Sequence, residues 1–67
     1  MITQNDIKFA VSEDTKEKIV TVHAFVLIQV EKKVSSNELV QAKHPHLALA
    51  EIKDNMSKML LNRIYKP

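Results

Sequence analysis

Three histidines are the residues best placed by type and spacing to do chemistry: His23, and the pair His44 and His46 around Pro45. Two imidazoles two residues apart share one side of an extended segment, and a third can complete a zinc set. Pro45 makes "HPH" a turn at a helix entrance instead of a strand. No cysteine is present to help, and no HExxH-like spacing occurs. The pair is therefore read as solvated, and neither a metal nor any other cofactor is expected. His23 stands among aliphatic neighbours, so it is read as a partly buried side chain with a hydrogen-bond partner at an interface.

The remaining polar groups do not assemble a catalytic set. Glu13 and Asp14 fall in a polar loop whose lysines neutralise them, and Glu51 and Asp54 lie one turn apart on a solvated helix face. Ser12, Ser35, Ser36 and Ser57 lack a nucleophile motif. Glycine is absent, which removes phosphate-cradling loops and Asn-Gly turns together. A chain this short has little room for a substrate pocket of several hundred Å³, so no catalytic residue is nominated and enzyme activity is not expected. "NMS" at residues 55–57 matches a glycosylation sequon by chance, since it falls mid-helix in a chain without a secretory signal.

The elements that must position these groups follow from periodicity. Ile7, Phe9 and Val11 alternate with polar or small residues, which predicts a strand over residues 5–12. After the polar "SEDTKE" segment, "IVTVHAFVLIQV" predicts one long second strand over residues 18–33, able to bend or bulge. The two make an antiparallel hairpin, with a loop longer than two residues because glycine is missing. Ser35 followed by Glu38 resembles a capping box, so residues 36–43 are a short third element. Helix is favoured there over strand. Leu49, Ile52, Met56, Met59, Leu60 and Ile64 recur at spacings of three and four, predicting a helix over residues 46–65. Leu47, Ala50, Leu61 and Tyr65 form a second, weaker stripe.

These elements give a single α+β domain over residues 1–67, a β-hairpin packed on a C-terminal helix and completed by homodimerisation. The net charge of +2 implies no anionic partner. The longest apolar run, residues 24–28, is far short of a membrane helix. Met1 and the closing helix suggest a complete small gene product, soluble and cytoplasmic. Chains near 60 residues bury a core that is marginal alone, and without cysteines the remedy is oligomerisation.

Val20, Val22, Ala24, Val26, Ile28 and Val30 are assigned to the chain's own helix. Ile19, His23, Phe25 and Leu27 then face a partner, with Leu61 and Tyr65 as an alternative contact. The functional expectation is a homodimeric regulator, adaptor or inhibitor of a larger protein, of a size that suits a virus-encoded factor. The alternative is a small nucleic-acid-binding protein using a basic end around Lys32, Lys33 and Lys43. On this reading Phe25→Asp disrupts assembly and Val26→Asp unfolds the chain, as sedimentation and circular dichroism would show.

Overall fold

The computed structural model describes residues 1–66; Pro67, which closes the domain read from the sequence, lies outside them. Alternation builds the sheet. In β2 (Ile19–Phe25) the even-numbered Val20, Val22 and Ala24 are all buried on one side. β1 (Lys8–Asp14) pairs with it antiparallel from Lys8 opposite Phe25 to Asp14 opposite Ile19. β3 (Gln29–Ser35) pairs with the other edge, Phe25 opposite Gln29 and Ile19 opposite Ser35. The result is a three-stranded antiparallel meander with β2 central. A 3-10 turn (Gln4–Asp6) precedes it.

Residues 15–18 join β1 to β2, and four residues suit a chain without glycine. Asp14 Oδ1 holds the loop, accepting the N–H groups of Lys16 at 3.0 Å and Glu17 at 3.1 Å, which is the local bonding that favours Asp in turns. Lys18 closes the loop at φ 56°, the one described residue with positive φ. Its Cβ makes that conformation costly by about 1–2 kcal/mol.

The long strand of residues 18–33 is not formed. The chain reverses at residues 26–28, where the Val26 N–H donates to the Ile28 carbonyl at 3.1 Å. The reason lies in lengths. The helix α2 (Pro45–Tyr65) has 21 residues and measures about 32 Å at 1.5 Å per residue. That covers only nine or ten residues of strand at about 3.3 Å each. Folding back puts Val30 and Val34 beside Ala24 and Val20 under the same helix. Of the six residues assigned to the helix side, Val20, Val22, Ala24 and Val30 are buried, Val26 is half-buried and Ile28 is exposed.

α1 (Ser36–Gln41) settles the third element as helix. Ser35 caps it by accepting the Asn37 N–H at 3.3 Å, one residue before the position a capping box uses. Leu39 closes one end of the core. α2 starts at Pro45, and the His44 carbonyl accepts from Leu47 and Ala48, both at 3.0 Å. Lys58 and Asp54 pair at 3.1 Å one turn apart, a contact worth about 0.3–0.5 kcal/mol.

Among the described residues seven apolar ones are buried: Ile7, Val20, Val22, Ala24, Val30, Met56 and Leu60. Leu49, Ile52, Leu61 and Ile64 border them, whereas Met59, read as core, is exposed. The buried polar residue among those described, Ser57, donates its hydroxyl to the Lys53 carbonyl at 3.0 Å, the i−4 bond that satisfies a serine inside a helix. In so small a core, Leu60→Ala should cost about 2–5 kcal/mol, and Met59→Ala under about 1 kcal/mol. Urea titration followed by circular dichroism measures both.

Candidate interaction surface

The side of the sheet away from α2 is read off the strand register. Its rows are Asp14–Ile19–Ser35, Ser12–Thr21–Lys33, Ala10–His23–Glu31 and Lys8–Phe25–Gln29. Most of these side chains are polar, because β1 and β3 bring polar residues to either flank of β2. Ile19 and Phe25 sit six residues apart, about 20 Å along the strand. The open side is thus a polar surface with an apolar group at each end, not a continuous apolar face.

His23 lies in the middle of it. Its Nδ1 is 2.9 Å from Gln29 Nε2. The contact joins the ring to the Gln29 side-chain amide. Nε2 is turned to Glu31 Oε2, 3.8 Å away. The hydrogen-bond partner expected for His23 is therefore within the chain, on the neighbouring strand. His44 and His46 meet edge to face with ring centroids 6.4 Å apart. Among the described residues, no three His, Cys, Asp or Glu side chains gather into a metal-binding group.

Three of the exposed apolar side chains lie at the hairpin tip, while Val11, Val40 and Leu47 are exposed elsewhere. Phe25 is 38%, Leu27 71% and Ile28 40% exposed. Phe25 and Leu27 are thus brought together, and Ile28 joins them, a residue the sequence had assigned to the core. Ile19 and His23 lie further down the strand. Leu61 borders the core on α2. Tyr65 is half-exposed, but its hydroxyl is engaged: it accepts the Ile2 N–H at 2.8 Å and donates to the Ile2 carbonyl at 3.0 Å. This clasp ties the first residues to the end of α2, and no spacing in the sequence signals it.

The lysines of the basic end are divided. Lys32 and Lys33 are consecutive in β3 and point to opposite sides of the sheet. Lys32 lines a cleft of about 180 Å³ on the helix side with Ile52, Asn55, Met56 and Met59. Lys33 stands on the open side, and Lys43 follows α1. The cleft is smaller than the roughly 300–1,000 Å³ of small-molecule pockets. Lys53 lies 5.7 Å over the Phe9 ring, a cation–π contact worth about 0.5–1 kcal/mol. Among the described residues, no helix is long and apolar enough to cross a membrane.

Comparison with protein-family models, curated proteins and solved structures finds no match to this chain.

Tyr65→Phe removes both bonds to Ile2. It should cost about 0.5–1.5 kcal/mol and speed amide exchange at Ile2, which NMR hydrogen exchange reads directly.

Proposed function

We propose that the chain is a small non-enzymatic interaction module that acts as a homodimer and regulates, adapts or inhibits a larger protein. The carrying observation is surface. The chain exposes 5080 Å², whereas a compact monomer of its 7.7 kDa exposes about 4300 Å². The excess, roughly 700–800 Å², is the scale that one partner contributes to a standard interface.

Shape supports the same reading. The radius of gyration is 12.7 Å with extents of 37 × 23 × 17 Å, against about 11 Å for a compact domain of this length. The Phe25, Leu27 and Ile28 tip supplies exposed apolar groups, and the polar rows beside it supply a rim, an arrangement common in protein interfaces. The non-enzymatic part of the reading rests on the small cleft and on the Ser57 hydroxyl being tied to its own helix. Nucleic-acid binding gains no support from lysines split between the two sides of a sheet.

Sedimentation equilibrium at micromolar concentration should find a dimer. Phe25→Asp with Leu27→Asp should weaken association at least about tenfold, equivalent to about 1.4 kcal/mol, with helical circular dichroism unchanged. A wild-type monomer, or a double variant that still dimerises fully, overturns the assignment. Titration with a short duplex and a single strand at low salt, where phosphate contacts are strongest, should show no binding.

A further inference from the structure

Residues 26–28 have the composition of a strand, not of a turn. Val26 and Ile28 are β-branched, and none of the three is Gly, Asn, Asp or Pro. Favoured two- and three-residue hairpin loops place at least one residue at positive φ; none of these does, Lys18 being the one described residue that adopts it. The loop instead pushes Leu27 and Ile28 into solvent.

The pairing of β2 with β3 is symmetric about Leu27. Phe25 meets Gln29, Ala24 meets Val30, and so on out to Ile19 with Ser35. A two-fold axis through Leu27 therefore lets a second copy make the same pairs in the same register. Face parity is kept as well, because Val20, Val22, Ala24 and Val30 are all on the helix side and residues 26 and 28 continue that series.

We propose that residues 26–28 are a hinge, and that two copies exchange β3, α1 and α2 by straightening it. The proposal rests on the homodimer reading and names its geometry. In the exchanged dimer, residues 19–35 form one strand of each copy, paired antiparallel with the same strand of the other. Ile28 moves to the helix side, where Val26 already packs against the core, and the two Leu27 side chains meet at the axis. Each half of the long ribbon is covered by one α2, which removes the length limit that a single helix imposes. Contacts of the core with β3 and α2 re-form between copies, so opening sacrifices only the loop. Short hinges lacking relaxed turn geometry favour such exchange.

Cysteine cross-linking tests it, and the chain has no native cysteine to interfere. Thr21 and Lys33 are partners in the β2–β3 register, on the open side of the sheet. The Ser36 N–H donates to the Lys18 carbonyl at 2.9 Å, which makes 18 and 36 a hydrogen-bonded pair. Alternation then makes 21 and 33 a non-hydrogen-bonded pair, close enough for a disulfide. Oxidised while folded, Thr21→Cys/Lys33→Cys should run as a covalent dimer on a non-reducing gel, while either single variant runs as one chain. Adding Ile28→Gly, which supplies the residue a three-residue loop needs, should shift the band to one chain. A single-chain band from the double variant, with a dimer by sedimentation, overturns the exchange and leaves a docked homodimer. A monomer by sedimentation overturns both. Equal cross-linking by a single variant overturns the exchange, because Thr21 and Lys33 meet only each other in it. A covalent dimer that persists with Ile28→Gly overturns the hinge.

Discussion

The constraint on which this structure depends is that one helix covers only nine or ten residues of strand. An uninterrupted strand over residues 19–35 would run about 56 Å, while α2 reaches about 32 Å. Laid flat, half of its apolar side would face water. Folding back at residues 26–28 places Val30 beside Ala24 and Val34 beside Val20, so Met56 and Leu60 of the same helix cover both strands. The hairpin is thus imposed by burial from outside the loop and not by the residues of the loop.

The solution is incomplete. A core of seven buried apolar residues is small, and domains of this length hide only about 60% of their unfolded surface. The same fold-back leaves Phe25, Leu27 and Ile28 exposed at the tip. Burial and exposure here have one cause, because the reversal that saves Val30 from solvent is what drives Leu27 into it. In the proposed exchange a second copy would relieve both, since two helices match the length of one long ribbon. The polar rows of the open side, with His23 held between Gln29 and Glu31, need no such cover.

Much of this was legible in the residues. The spacing of Leu49, Ile52, Met56, Leu60 and Ile64 places α2 within a residue of its ends. The missing glycine foretells a β1–β2 loop longer than two residues, and the loop has four. Even-numbered β2 residues face the helix as alternation requires. The reversal at residues 26–28 was not legible, because its cause is the length of a helix that begins only at Pro45 and no turn former marks it. The open side reads as partly apolar along β2 alone, with Ile19 and Phe25 on it. It becomes polar only once the register sets Ser12, Lys33, Glu31 and Gln29 around it. The clasp of Tyr65 on Ile2 joins residues 63 apart, beyond the reach of any local pattern.

On the proposed reading this chain is one half of a completed fold. Small-angle X-ray scattering in dilute solution tests it most directly, since forward scattering gives mass and the low-angle slope gives size. The expected values are the mass of two chains and a radius of gyration well above the 12.7 Å of one. The mass of a single chain, with a radius of gyration matching that value, would contradict it.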